Sequence, residues 1–114
     1  MKTINNGRLF ESKIYQFLLD IGYKVLRTSN SGAKRNDSDI VLKSKFEDFR
    51  ISCKLQESGK NLIIKKTDFS EIQEQSNRLN SIPCMILAKE INNINDTFIV
   101  LNLKDFIEII RCPQ

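Results

Sequence analysis

Two short apolar runs constrain the fold more than any other feature of the sequence. Residues 84–88 read Cys-Met-Ile-Leu-Ala and residues 98–101 read Phe-Ile-Val-Leu, so neither run alternates with polar side chains. A strand that is apolar on both faces needs cover from two sides, as a central strand has when helices lie above and below its sheet. We therefore predict an α/β fold with both runs deep in the sheet.

Periodicity predicts the elements before these runs. Apolar residues at helical spacing predict a first helix over residues 7–21. Strands are predicted at 23–28, 39–42 and 49–56, with a polar turn at 43–48 between the last two. Strand 49–56 alternates strictly between apolar and polar residues, which is typical of a strand with one face in the core and one polar face.

Capping residues predict two further helices. Thr67 or Asp68 can serve as the N-cap of a second helix, with Glu71 completing a capping box, and Asn102 can cap a final helix. The predicted order is helix, three strands, helix, two strands and helix. This order suits a central mixed five-stranded sheet flanked by helices.

Length and composition predict one domain over residues 1–114. The chain has 114 residues, enough for one α/β domain and too few for two. No apolar run approaches the roughly 20 residues of a membrane span, and the N-terminal residues lack the apolar core of a signal peptide. We expect a cytoplasmic protein without a membrane partner.

The absence of histidine removes several reaction classes. Serine–histidine triads, HExxH zinc sites and histidine general bases are all excluded. The three cysteines are an odd number and far apart in the sequence, which favours reduced thiols. Carboxylates and lysines remain, and they suit magnesium-assisted phosphodiester chemistry. The net charge of +4 fits a polyanionic partner, although many ordinary basic proteins share it.

Three residues could carry that chemistry. Glu11 lies on the first predicted helix, Asp39 opens a strand, and Lys54 lies on the polar face of the next strand. Asp39 could hold a divalent cation, and the Lys54 ammonium could orient a water and stabilise charge at phosphorus. Residues 29–38 are predicted to form a polar loop between the first helix and Asp39, either as a simple connector or as a DNA-facing segment.

This arrangement resembles the PD-(D/E)XK nucleases, whose core order is α-β-β-β-α-β. Asp39 and residues 52–54 (Ser-Cys-Lys) occupy the positions of the family motif. The resemblance to archaeal and phage Holliday junction resolvases is closer, through residues 7–11 (GRLFE) and 27–32 (RTSNSG). It continues through residues 62–68 and the two apolar runs, so it covers nearly the whole chain.

The resemblance implies a role for each matching position. Glu11, Ser31, Asp39 and Lys54 would be catalytic. The metal ligands would be Asp39, Glu11, Ser52 and the backbone carbonyl of Cys53, binding Mg²⁺, with Mn²⁺ as a substitute. The DNA contacts would be Arg8, Ser29, Lys34, Arg35 and Gln56. The implied enzyme is a homodimeric, magnesium-dependent endodeoxyribonuclease of DNA recombination and repair that resolves four-way junctions.

Ser52 departs from the family, which has Glu or sometimes Gln at this position. A neutral hydroxyl is a poor magnesium ligand, so Glu11 compensates, or Ser52 holds a metal-bound water, or cleavage is lost. The alternatives are therefore a non-cleaving DNA-binding module of the same fold and a restriction-type or repair-type endonuclease acting on duplex DNA. Each residue also has a simpler interpretation. Glu11 could be a solvent-exposed helix residue, Asp39 a turn residue at the start of a strand, and Lys54 a residue on the solvent-exposed face of an amphipathic strand.

Overall fold

Five strands form a sheet in the order in which they occur in the chain. The computed structural model describes residues 6–27, 40–45 and 47–111. The described elements are α1 (Asn6–Ile21), β1 (Lys24–Arg27), β2 (Ile40–Lys43), β3 (Asp48–Leu55), α2 (Lys66–Arg78), β4 (Ser81–Ala88), a 3-10 turn (Ile94–Asp96), β5 (Thr97–Leu101) and α3 (Leu103–Arg111). The strand order is β1-β2-β3-β4-β5, so the predicted α/β fold with a mixed five-stranded sheet is confirmed.

The sheet is antiparallel except between β3 and β4. These two strands run parallel, with Asp48 opposite Ser81, whereas the other three pairs are antiparallel. Parallel neighbours need a crossover connection, which here contains α2. Pro83 of β4 lies one residue before the β5 ladder begins at Cys84, so its missing N–H costs no bond to β5.

β4 lies at the centre of the core. Residues 82–88 are all buried, which confirms the prediction for the run at 84–88. Cys84 and Ile86 belong to the apolar cluster on the α1 face of the sheet. Because side chains alternate along a strand, Met85 and Leu87 point to the opposite face, where α2 contacts β4.

α1 covers one face of the sheet, close to its predicted bounds. Phe10 and Ile14 are its buried residues, and they pack in a cluster with Val25, Ile40 and Ile51 of the first three strands. Gly22 ends the helix with a φ of +117°, a conformation that glycine adopts without steric cost. The end of the first helix at residue 21, as predicted from the sequence, is therefore confirmed.

α2 covers the other face, and its start differs from the prediction. Its buried side chains are Ile72, Gln75 and Ser76. The helix begins at Lys66, and its N-cap, Lys65, makes no side-chain capping bond. Thr67 and Asp68 therefore lie inside the first turn, and the predicted capping box is wrong. Asp68 instead places a negative charge in the first turn, where the helix dipole favours it.

β5 lies nearer the surface than the sequence predicted. It is an edge strand, and its Phe98 and Ile99 are 51% and 57% exposed. The prediction that residues 98–101 lie deep in the sheet is wrong, because apolar composition does not distinguish a central strand from an uncovered edge. Asn102 caps α3 as predicted, since its Oδ1 accepts a hydrogen bond from the Lys104 N–H at 2.9 Å.

α3 lies over the same face of the sheet as α1. Its Ile109 packs against the α1-side cluster. Burial raises the pKa of the Cys84 thiol to about 12, and the Asp105 carboxylate of α3 adds to the rise. Cys53 and Cys84 are free thiols, in line with the predicted reduced state, while Cys112 lies outside the described residues.

We expect Leu87→Ala to lower the free energy of unfolding by about 2–5 kcal/mol, because truncation leaves a cavity under α2. Leu87 is 1% exposed, and Ile64, at 55% exposed, supplies the control. Ile64→Ala should change the free energy by less than about 0.5 kcal/mol. Urea denaturation followed by circular dichroism measures both, and equal losses would contradict the assignment of Leu87 to the core.

Candidate functional site

Parts of four elements meet at one end of the sheet. Arg27, the last residue of β1, pairs with Ile40 at the start of β2, and Ile40 pairs with Ile51 of β3. The Asn6 amide at the start of α1 donates to both carboxylate oxygens of Glu57, at 3.1 and 3.3 Å, just beyond β3. We call this region, from the first turns of α1 to the end of β3, the site end of the sheet.

Glu11 lies at the site end in a defined hydrogen-bond arrangement. Its Oε2 accepts from Nε and Nη2 of Arg27, at 3.1 and 3.0 Å, while Nη1 of Arg27 donates to the Ser12 hydroxyl at 3.1 Å. The guanidinium also lies 5.6 Å from the ring centroid of Tyr15, within cation–π range. Among the described residues, none donates a hydrogen bond to Glu11 Oε1.

Ser52 and Lys54 lie on the polar face of β3. Both are half-buried, and strand alternation points them to the α2 face, opposite Ile51. Lys54 lies three residues beyond the Ile40–Ile51 pair, roughly 10 Å along the strand. Within the described ranges, no hydrogen bond or ion pair joins Lys54 to Glu11. These two groups can therefore meet a common ligand only around the end of the sheet.

The Cys53 side chain and its carbonyl have different environments. The side chain is half-buried against the α1-side cluster, in agreement with the core-facing side predicted for the apolar residues of strand 49–56. The Gln56 N–H donates to the Ala88 carbonyl at 2.8 Å, so the backbone of Gln56 faces β4. The N–H and C=O groups of successive residues in a strand point to opposite sides in the plane of the sheet. The Cys53 carbonyl therefore points to the β2 side, at a position beyond Ile40. A metal-binding role for this oxygen is compatible with that direction.

Gln56 makes contacts that the sequence did not predict. Its amide donates to the Ile63 carbonyl at 2.6 Å and accepts from the Ile63 N–H at 2.7 Å. Lys89 braces the same loop by donating to the carbonyls of Ser58 and Asn61. A DNA contact by the Gln56 amide would have to replace both bonds to Ile63, so in this structure Gln56 fixes the loop after β3.

Several predicted site residues lie outside the described part of the chain. They are Ser29, Ser31, Lys34, Arg35 and Asp39. Arg8 is described and is exposed on the first turn of α1. In residues 6–27, 40–45 and 47–111, no three Cys, Asp or Glu side chains are grouped closely enough to hold a metal ion. The described residues therefore supply individual oxygen ligands, and a closed metal site is not formed from them alone.

Arg27 is the site residue that sequence reasoning missed. It was quoted only as part of a family-like segment, without a role. The sequence offered one signal for it, because Arg27 is a positively charged residue at the end of a short strand, and this strand follows the helix that carries Glu11. The spacing between them is irregular, since a turn and a strand intervene, and only the folded chain brings the two side chains together.

Comparison with known proteins supports the fold. No protein-family model and no curated protein matches the sequence. Among solved structures, the chain is similar to Hjc, a Holliday junction resolvase from the archaeal hyperthermophile Archaeoglobus fulgidus. The TM-score is 0.58 over 82% of this chain and 85% of that chain, with 14% sequence identity. The chain has the fold of this resolvase. The resemblance noted in the sequence is thereby confirmed for the fold.

We expect the Glu11–Arg27 pair to show a coupling free energy of about 1–2 kcal/mol, between the values typical of exposed and buried ion pairs. A double-mutant cycle with Glu11→Gln and Arg27→Ala, followed by urea denaturation, measures it. The control is the more exposed ion pair between Lys43 and Asp48, whose Nζ and Oδ2 atoms are 2.8 Å apart. Its coupling free energy should be about 0.5 kcal/mol or less. A coupling free energy for Glu11–Arg27 no larger than that for Lys43–Asp48 would contradict a specific interaction between the Glu11 and Arg27 side chains.

Proposed function

We propose that the chain is a magnesium-dependent endodeoxyribonuclease that cuts four-way DNA junctions. The observation that carries the proposal is the fold of a resolvase, with Glu11 beside Arg27 at the site end and with Ser52 and Lys54 on the polar face of β3. A nuclease needs oxygen ligands for a cation and a positive group for the phosphate, and this end supplies both types.

The donor set fits a hard divalent cation. Glu11 Oε1, the Cys53 carbonyl and the Ser52 hydroxyl are oxygen donors, and we propose Asp39 as the second carboxylate. Magnesium prefers oxygen ligands, and Mn²⁺ should substitute. When bound, the cation would polarise a phosphate oxygen and lower the pKa of a coordinated water.

The protein groups have separate proposed roles. Lys54 makes no hydrogen bond or ion pair among the residues that the structure describes, so its ammonium can bind a phosphate oxygen without breaking an existing contact. There it would stabilise the charge that grows as water attacks phosphorus. Arg27 would hold the Glu11 carboxylate by one oxygen and leave the other toward the cation. We also propose Ser31 as a catalytic residue.

Charge at the site end favours a polyanion. The N-termini of α1 and α2 lie at this end, because α1 starts beside Glu57 and α2 follows the loop after β3. Their dipoles present positive ends there. Exposed cations on the same segments are Arg8, Lys60, Lys65 and Lys66. We propose that these and Ser29, Lys34 and Arg35 contact the DNA backbone, which would make binding strongly salt-dependent.

The biological setting follows from the substrate. Resolution of a junction needs two matched incisions, so we propose a homodimer of the 114-residue domain, acting in DNA recombination or repair. In the part of the chain that the structure describes, no helix has the length and hydrophobicity to span a membrane. We propose the cytoplasm as the location of this activity because its substrate is DNA.

A second candidate is a DNA-binding module that has lost cleavage. Ser52 is the observation that favours it, since a hydroxyl replaces the carboxylate that this strand position carries in the related nucleases. A duplex-specific endonuclease is a third candidate. Titrations on junction, duplex and flap substrates of equal length would separate it from a resolvase.

We expect the wild-type chain to cut a synthetic four-way junction with Mg²⁺ or Mn²⁺, and Lys54→Ala to lower the cleavage rate by about 100-fold or more. Junction affinity should change by less than about threefold, because one phosphate contact is lost. Lys24→Ala, exposed at the start of β1 and at the opposite end of the sheet, is the control and should retain the wild-type rate. Binding without any cleavage by the wild type would contradict the nuclease proposal.

Substitution at Ser52 distinguishes enzyme from binding module. Ser52→Glu adds a carboxylate to the proposed cation site, so the Mg²⁺ concentration for half-maximal cleavage should fall about tenfold. Ser52→Gln controls for side-chain size and should not lower it. If the wild type is inert and only Ser52→Glu cuts, the binding-module candidate replaces the enzyme. If the wild type cuts and Asp39→Ala does not, that candidate is excluded.

A further inference from the structure

Two adjacent isoleucines are exposed in the loop between β3 and α2, residues 56–65. Ile63 and Ile64 are 60% and 55% exposed, whereas Leu62, the residue before them, is half-buried. Single exposed apolar residues are common on protein surfaces and need no explanation. A neighbouring pair in a loop whose other residues, apart from Leu62, are polar or glycine is less ordinary, and packing within the domain does not account for it.

Side chains hold the backbone of this loop in place. The Gln56 amide donates to the Ile63 carbonyl at 2.6 Å and accepts from the Ile63 N–H at 2.7 Å. Lys89 donates to the carbonyls of Ser58 and Asn61 in the same loop. A loop fixed in this way presents its exposed side chains in one position, and it therefore loses little conformational freedom when it binds a partner.

The loop lies at the site end. Its Glu57 accepts hydrogen bonds from the Asn6 amide, which ties the beginning of the loop to the start of α1. The Gln56 N–H continues the pairing of β3 with β4, so strand alternation places the Gln56 side chain on the same face as Lys54. Two residues of strand and the length of the Gln56 side chain bring the Ile63 carbonyl within roughly 15 Å of the Lys54 Cα.

Cations flank the two isoleucines. Lys60 precedes them in the loop, and Lys65 and Lys66 follow them directly, all three with exposed side chains. The acids of the same segment are Glu57, which is hydrogen-bonded to α1, and Asp68, which is half-buried in the first turn of α2. An apolar pair between cations suits a polyanion that carries apolar groups between its charges. Nucleic acid has this chemistry, because its bases lie between phosphates.

We propose that Ile63 and Ile64 form a wedge that inserts between bases at the branch point of a four-way DNA junction and unstacks them. Proteins that deform DNA commonly insert apolar side chains, isoleucine among them, between neighbouring base pairs. The inference deepens the proposed function by naming residues that would recognise the branched structure. It rests on that function only for DNA as the partner, and it does not require cleavage.

Unstacking makes the wedge selective for branched DNA. Separating stacked bases costs free energy, and the cost is least where the bases are already poorly held. In a continuous duplex every base pair is stacked on both sides, whereas strands change helices at a branch point. The wedge therefore gains more from a junction than from a duplex, while the neighbouring lysines bind phosphates in both.

The position of the wedge suits cleavage close to the branch point. Successive bases of one strand are about 3.4 Å apart along the helix axis, so roughly 15 Å between Lys54 and Ile63 corresponds to about four nucleotides. A strand unstacked at the wedge would thus place a phosphate a few nucleotides away at Lys54.

Ile64→Ala and Ile21→Ala form a matched pair of variants. Both isoleucines are 55% exposed, but Ile21 ends α1 at the opposite end of that helix from the site end. Gln56→Ala is a second test, because it keeps both isoleucines of the wedge and removes the two hydrogen bonds that position Ile63. Circular dichroism spectra and thermal melts of all three variants should be close to wild type, since none of the three side chains belongs to the core.

A junction that carries a fluorescent adenine analogue at the branch point measures unstacking, because the emission of the analogue rises when its neighbours no longer stack on it. The titration is made with Ca²⁺ in place of Mg²⁺. We expect emission to rise about twofold or more with the wild type and Ile21→Ala, and by less than about a quarter of that rise with Ile64→Ala and Gln56→Ala. A wild type that binds the junction without any rise would overturn the wedge, as would an equal rise with Ile64→Ala.

Dissociation constants for the junction and for a duplex of equal length test selectivity. Ile64→Ala should weaken junction binding by about tenfold and duplex binding by less than about twofold. Equal weakening on the two substrates would overturn recognition of the branch point. Loss of binding to anionic vesicles in Ile64→Ala, with an unchanged rise in emission on the junction, would assign the pair to a lipid surface and would also overturn the wedge.

The outcomes for the wedge and for the proposed nuclease are distinct. Unstacking by a wild type that never cuts with Mg²⁺ would count against the nuclease and support the wedge. Cleavage by a wild type whose unstacking is unchanged in Ile64→Ala would support the nuclease and overturn the wedge. Absence of binding to either DNA would overturn both.

Discussion

The parallel pairing of β3 with β4 is the constraint on which the rest of the structure depends. It requires a crossover, so α2 must cover Met85 and Leu87 on one face of the sheet while α1 covers Cys84 and Ile86 on the other. It also fixes direction, because β3 ends where the loop leading to α2 begins. Together with the antiparallel pairs β1–β2 and β2–β3, this direction brings the ends of β1 and β3 and the starts of β2 and α2 to one end of the sheet.

The site end combines fixed and available groups. Arg27 holds one oxygen of Glu11 and is itself fixed by Ser12 and Tyr15, so the carboxylate is oriented before any ligand binds. Lys54 is not engaged in this way among the described residues. In the proposed nuclease, Arg27 would position the Glu11 carboxylate in advance and Lys54 would remain available for the phosphate, and preorganised charge of this kind is a general advantage in catalysis.

Sequence reasoning succeeded where local pattern and tertiary environment agree. Strict alternation in β3 located the polar face of Ser52 and Lys54, and the apolar run in β4 located the centre of the core. It failed where they differ. Phe98 and Ile99 have the composition of buried residues but lie on an edge strand, and Asp68 has the chemistry of an N-cap but lies within the first turn of α2. The exposure of an edge strand depends on which elements cover it, and local sequence does not reveal that cover.

The sequence by itself determined the class of fold, the order of its elements and the types of group that could act at the site. Hydrophobic periodicity is a local property, and these features follow from it. Only the tertiary structure decided that Arg27 pairs with Glu11, that Gln56 binds Ile63, and that the apolar side of α3 faces water. Contacts between residues distant in sequence depend on how the elements pack, and many sequences with the same periodicity could pack differently.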